Sequence, residues 1–153
     1  MPGISERRAL PYSAEQMFDL VADVGNYAQF LPWVIATRVR SNSEDEMVAD
    51  VVVGFKSLRE RFTSKVLKKR ARSIDVHYID GPMRDLENSW RFTALEDGGC
   101  TVDFAVSFEF KNRVFETLAG QYFDRAFRKM VAAFEARADE LYGNSNSSAT
   151  SVA

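Results

Sequence analysis

The stretch NRVFETLAGQYFDRAFRKMVAAFEARADELY, residues 112–142, decides the fold, because it reads as one amphipathic helix that closes a series of short strands. Val114, Phe115, Leu118, Ala119, Tyr122, Phe123, Ala126, Phe127, Met130, Val131, Phe134, Ala138 and Leu141 recur every three or four residues and form one wide apolar stripe. A helix of about 31 residues is roughly 46 Å long at 1.5 Å per residue, so it needs a broad surface to lie across. Asn112 suits the N-cap, and Gly143 suits the left-handed position that ends a helix.

That surface comes from the residues before the helix. Short runs near 34–42, 46–54, 58–68, 73–80, 87–95 and 101–110 read as strands, separated by turns such as Ser43-Glu44-Asp45, Lys56-Ser57, Asp80-Gly81-Pro82 and Asp97-Gly98-Gly99. The connections are too short for crossover helices, so the sheet must be antiparallel with one dry face and one wet one. Val102, Phe104, Val106, Phe108 and Phe110 alternate with Asp103, Ala105, Ser107 and Glu109, which turns the phenylalanines inward. Ahead of these, residues 3–10 form a first strand. Ser13 and Gln16 have capping-box spacing for a first helix that Gly25-Asn26 should stop, and a second short helix spans about 27–31 before Pro32.

The expected architecture is therefore α+β: a curved seven-stranded antiparallel sheet gripping one long C-terminal helix, with two short helices after strand one. One helix cannot fill so wide a sheet without many large side chains, and any shortfall leaves an apolar hollow. At 153 residues with 46% hydrophobic and 27% charged, the chain fits a single domain over 1–143, with a Ser/Asn-rich tail at 144–153 expected to be disordered.

Charge and rare residues narrow the function. A net charge of -2 gives no global field toward nucleic acid or an anionic membrane, so DNA is not an expected partner and any polyanion needs a local patch. Cys100 and His77, one of each, leave no zinc set and no internal disulfide, and the expectation is no metal and no catalytic residue. His77 lacks a nucleophile motif around it, and Asp19 and Asp23 lack further ligands. Neither a secretory signal nor a membrane span is legible, so the chain is expected to be cytoplasmic, or peripheral at the inner face of the plasma membrane.

The run Tyr12-Ser13-Ala14-Glu15-Gln16-Met17-Phe18-Asp19-Leu20-Val21-Ala22-Asp23-Val24, with Tyr27 and Phe30-Leu31-Pro32-Trp33, is supported by Phe62-Thr63-Ser64, Gly81-Pro82 and Trp90-Arg91-Phe92. Together with Phe134-Glu135-Ala136-Arg137-Ala138 and Leu141-Tyr142-Gly143, it resembles the START-like coenzyme Q-binding proteins over roughly residues 3–143. That family includes bacterial members described as ribosome-association toxins and sits in the wider polyketide cyclase/dehydrase grouping. The resemblance implies a helix-grip fold and binding of ubiquinone or a similar isoprenoid, as a chaperone for respiration and not as an enzyme. Its members often carry cysteine after the Pro-Trp pair, where this chain has Val34, which removes thiol chemistry from an apolar site.

The expected lining of the hollow is Phe30, Pro32, Trp33, Phe55, Phe62, Trp90, Phe104, Phe108, Phe115, Leu118, Tyr122 and Ala126, with an ordinary aromatic core as the competing reading. Tyr122 offers a phenol to a quinone carbonyl. Met17, Phe18, Tyr27, Phe30, Leu31 and Trp33 would form a membrane-docking lip if exposed, or pack on the sheet. Lys65, Lys68, Lys69, Arg70 and Arg72 cluster around one hairpin, as a contact for anionic lipid or ribosomal RNA, or as a charged tip that keeps a sheet edge soluble. A ribosome-binding regulator that blocks subunit association is the second functional reading, and a polyketide cyclase or dehydrase the third.

Overall fold

Two helix starts follow directly from local side-chain chemistry. Ser13 Oγ accepts the Gln16 backbone N–H at 3.0 Å while Gln16 Oε1 accepts the Ser13 N–H at 2.9 Å, a complete capping box ahead of helix α1, Ala14–Ala22. Asn112 Oδ1 accepts the Val114 N–H at 2.8 Å and starts helix α2, Arg113–Ala138. The computed structural model describes residues 3–55 and 58–143, without the side chains of 55, 58, 115 and 118–124. The Lys56-Ser57 turn, the expected tail 144–153, and the side chains of Phe55, Phe115, Leu118 and Tyr122 lie outside the described residues.

Seven strands, β1 Gly3–Leu10, β2 Val34–Asn42, β3 Glu46–Phe55, β4 Leu58–Lys69, β5 Ser73–Asp80, β6 Met83–Ala94 and β7 Cys100–Phe110, form one sheet. Their spatial order is β1-β7-β6-β5-β4-β3-β2, every pair is antiparallel, and β1 closes against the last strand in register Gly3 to Ser107 through Leu10 to Cys100. With α2 following β7, this is the α+β helix-grip arrangement.

Four boundaries differ from the sequence expectation, each for a local reason. Strand β6 begins at Met83, not near 87, because a bulge between Met83 and Asp85 breaks the alternation without ending the pairing. The second short helix is a 3-10 turn over Val24–Gln29, so Gly25-Asn26 lies inside it, and Asp23 ends α1. Helix α2 ends at Ala138 and widens into a π turn, Asp139–Gly143. Tyr12 donates its hydroxyl to Asp139 and Tyr142 donates to Gln16 O at 3.1 Å, tying that turn to α1. Gly143 is accordingly not left-handed, whereas Gly81, Gly98, Trp33 and Ala71 have positive φ.

The core lies between the inner sheet face, α1 and the C-terminal half of α2. Met17, Phe18, Leu20 and Val21 of α1, Ile74, Trp90, Phe92, Val102 and Phe104 of the sheet, and Phe127, Phe134 and Ala138 of α2 are all buried. Cys100 is fully buried with them, and burial pushes its thiol pKa up, away from reactive thiolate.

Candidate functional site

The inner face carries a connected set of aromatic rings at one end. Trp90 meets Phe104 at 4.4 Å and Phe134 at 5.2 Å between centroids, Phe104 meets Phe127 at 5.1 Å, and Phe18 meets Phe92 at 5.9 Å. Phe30 and Tyr27 extend the cluster, at 5.4 and 5.6 Å from Phe134, and Arg137 lies over the Phe30 ring. Each contact is edge-on or tilted, as aromatic quadrupoles prefer. Trp90, Phe104 and Phe30 thus come together, but as packing: Trp90 and Phe104 are 8% and 7% exposed.

Toward the start of α2 the same face is less covered. Val76, Leu86, Val106 and Phe110 are apolar, share the inward parity of Trp90 and Phe104, and are only half-buried. Phe62 on β4 and Val51 opposite it on β3 are half-buried too, while Phe108 is covered and meets Phe110 at 5.6 Å. Ala126, the small residue expected to leave room, is half-buried beside Phe127. The apolar surface lacking full cover therefore lies on the part of the sheet beyond the filled aromatic end.

Polar groups mark the border. Asn88 sits on the inner face between Leu86 and Trp90, accepts Trp90 Nε1–H on Oδ1 at 2.9 Å, and donates from Nδ2 to Ala105 O at 2.9 Å. A carboxamide carries two Nδ2 protons, and the second one of Asn88 has no acceptor among the described residues. Tyr78, also of inward parity, accepts the Met83 N–H at 3.0 Å, and its own hydroxyl proton has no acceptor among the described residues. Asn88 and Tyr78 were missed in the sequence, although their even spacing with Leu86, Trp90 and Val76 was the available signal.

The mouth residues divide. Met17, Phe18 and Leu31 are in the core, so they form no docking lip, and Tyr27 and Phe30 pack on Phe134. Pro32 and Trp33 are half-buried; Trp33 holds a left-handed φ of 68° at the entry to β2, where its carbonyl accepts the Gly54 N–H at 2.8 Å.

The basic hairpin is largely engaged. Lys65 pairs with Glu46 at 2.9 Å, Lys68 is buried and donates to Asn42 Oδ1 at 2.6 Å, and Arg70 grips Asp19 with two nitrogens while lying over Phe18. Lys69 and Arg72 remain exposed. The cluster thus fastens the β4–β5 hairpin to β3, β2 and α1. His77 is exposed on the outer face opposite Glu87, away from the inner face. Among the described residues no group of His, Cys, Asp and Glu is placed to hold a metal ion.

The family model for polyketide cyclase/dehydrase and lipid transport matches residues 10–135. The ribosome association toxin RatA of Escherichia coli is 38% identical over 142 residues, covering 93% of this chain and 90% of that protein. The mitochondrial coenzyme Q-binding protein COQ10 homolog B of Xenopus laevis is 39% identical over 143 residues, 91% of this chain and 59% of that protein. The solution structure of the 18 kDa protein CC1736 of Caulobacter crescentus superposes with a TM-score of 0.74 at 38% identity, covering 94% of this chain and 99% of that one.

Proposed function

Because the chain belongs to the polyketide cyclase/dehydrase and lipid transport family, we propose that it holds a hydrophobic isoprenoid-type molecule, ubiquinone first among candidates, between its sheet and α2. It acts as a carrier that supports respiratory electron transport. The observation that carries this reading is the half-buried apolar surface of Val76, Leu86, Val106 and Phe110 in a sheet whose other end is filled. Covering such surface with an isoprenoid tail contributes about 25 cal/mol per Å², while Asn88 and Tyr78 offer spare protons to an oxygen-bearing head group. The similarity to a coenzyme Q-binding protein supports the quinone assignment. No chemical step is required; the protein binds, shields and releases.

Such a carrier works in the cytoplasm, with peripheral contact at the membrane face where its ligand dissolves; no helix among the described residues is long and apolar enough to cross a membrane. Native mass spectrometry with organic extraction of protein from its own host tests the reading. A stoichiometric quinone or isoprenoid is expected. Protein that is empty and also fails to take up ubiquinone from vesicles overturns it.

A second reading, a regulator that binds the ribosome, is supported by the similarity to ribosome association toxin RatA over most of both chains. It predicts co-sedimentation with ribosomal subunits that persists when the apolar surface is blocked. The cyclase reading requires an acid or base at the inner face; His77 lies on the outer one, whereas the half-buried Glu60 shares the inward parity of Phe62.

A further inference from the structure

The less covered end of the inner face carries a carboxylate. Glu60 of β4 has the inward parity of Phe62, stands opposite Val53 on β3, and is half-buried. Its chain neighbours Arg59 and Arg61 point to the other face, as alternate residues of a strand do. Glu60 makes no hydrogen bond or ion pair to any described residue. The other carboxylates near this end are engaged or turned away: Glu116 accepts the Phe110 N–H at 2.8 Å, and Asp85, opposite Glu109, lies on the outer face. A carboxylate placed between Val53 and Phe62 loses hydration without a protein donor to replace it, so its place suits a donor from outside the chain.

A proton donor stands beside it. An added Cβ at Gly81 would lie 2.8 Å from the Arg61 carbonyl oxygen and 3.0 Å from Tyr78 Oη, so the Tyr78 hydroxyl reaches across to the β4 backbone next to Glu60. Gly81 makes room for this with a φ of 142° and no side chain. The pairing of β5 with β6 ends at His77 and Glu87, so Tyr78 and Leu86 face each other where the two strands part. The Tyr78 hydroxyl accepts the Met83 N–H there, and its proton has no acceptor among the described residues. An unused donor and an unused acceptor thus share one border of the apolar surface formed by Phe62, Leu86 and Phe110.

We propose that Glu60 and Tyr78 form the head-group end of the site and select a hydroxyl, so that the protein takes an isoprenoid quinol in preference to the corresponding quinone; this rests on the carrier reading above. A ring hydroxyl accepts from Tyr78 and donates to Glu60, which satisfies both groups at once. A quinone carbonyl only accepts: it can satisfy Tyr78, but it turns its lone pairs toward the Glu60 carboxylate. Hydrogen bonds to an ionised acceptor are the stronger class, so the acceptor and not the donor decides between the two forms. No electron moves in this step, since the protein binds one redox form of a ligand reduced elsewhere.

The test is competitive uptake by the full chain, without oxygen, from phosphatidylcholine vesicles holding equal amounts of ubiquinol and ubiquinone with two-isoprene tails and of geraniol, the alcohol of the same tail. Each ligand is recovered from the protein by extraction and chromatography. The quinol-to-quinone ratio on the protein should exceed that in the vesicles by about tenfold or more. Glu60→Gln keeps the shape but adds an amide donor that suits a carbonyl, and should bring the ratio within about twofold of one. Tyr78→Phe removes a donor that both forms use, so it should lower uptake of both and leave the ratio above about fivefold. Both forms compete for one protein, so partial misfolding lowers uptake without moving the ratio. A parent ratio near one, a preference for the quinone, or a ratio that Glu60→Gln leaves unchanged would each overturn the proposal while leaving the carrier reading intact. Geraniol displacing the quinol would overturn the quinol as the selected ligand. Uptake of none of the three would overturn the carrier reading and this proposal with it.

Discussion

Leu86 and Trp90 stand on the same face of β6, two inward positions apart, yet their surroundings differ. Trp90 is packed among Phe104, Phe134 and Phe92, whereas Leu86 is only half-buried. The β7 pairing runs through both positions, but the β5 pairing ends at Glu87, and Trp90 also has against it the end of α2 from Phe127 onward, pinned to α1. One part of the sheet face is thus given to dense packing, and the next part is only half-covered.

The sharpest way to break this contrast is at the packed end. Phe134→Ala removes the ring shared by Tyr27, Phe30 and Trp90 and should cost about 3–5 kcal/mol in urea unfolding; a loss under about 1 kcal/mol would mean that this end is not the filled one. At the border, Asn88→Ala strands the Trp90 N–H and the Ala105 carbonyl and should cost about 1–3 kcal/mol by the same measurement.

Tyr12 ties the end of α2 in place, and its loss should be smaller and dependent on pH. Hydrogen bonding to Asp139, then burial, pushes the Tyr12 hydroxyl pKa up to about 12. A raised pKa means that the folded state keeps a proton the unfolded chain gives up near pH 10. The stabilisation is therefore complete below about pH 10 and is lost as pH rises through about 12. Tyr12→Phe should cost about 1 kcal/mol at neutral pH and show a shallower decline than the parent in alkaline thermal melts.

The smallest stability effect belongs to the open end. Leu86→Trp adds bulk where space is expected, so unfolding free energy should change by less than about 1 kcal/mol while ligand uptake from vesicles falls at least about tenfold. A cost near that of overpacking a dense core, with uptake intact, would show Leu86 to be packed like Trp90.

Much of the fold was legible because its signals are local. The capping box at Ser13 and Gln16, the Asn112 cap and the alternation along β7 each depend on residues a few positions apart. The bulge at Met83–Asp85 hid the start of β6, since one extra residue inverts the side-chain parity. The end of α2 was hidden because Tyr12, distant in sequence, sets it.

The site divided in the same way. Trp90, Phe104 and Phe108 lie on the inner face, but periodicity says which way a side chain points and not whether the space before it is filled. Charge density along the chain drew attention to the Lys65–Arg72 hairpin, whose cations largely serve contacts within the fold. Arg38-Val39-Arg40 and Arg59-Glu60-Arg61 are far apart in the sequence, and only the pairing of β2 and β4 with β3 brings them together.

The neighbouring positions of β1 and β7 also govern how the chain acquires its structure. Of the seven described strands β1 is synthesised first, yet its hydrogen-bonding partner is the last of them, with Gly3 waiting for Ser107. The other strand pairs can zip together in order of appearance, as each is joined to its neighbour by a short turn. The final pairing closes the longest loop in the sheet, and its entropic cost falls late, so the sheet from β2 to β6 can assemble first while the two ends of the strand series complete it together.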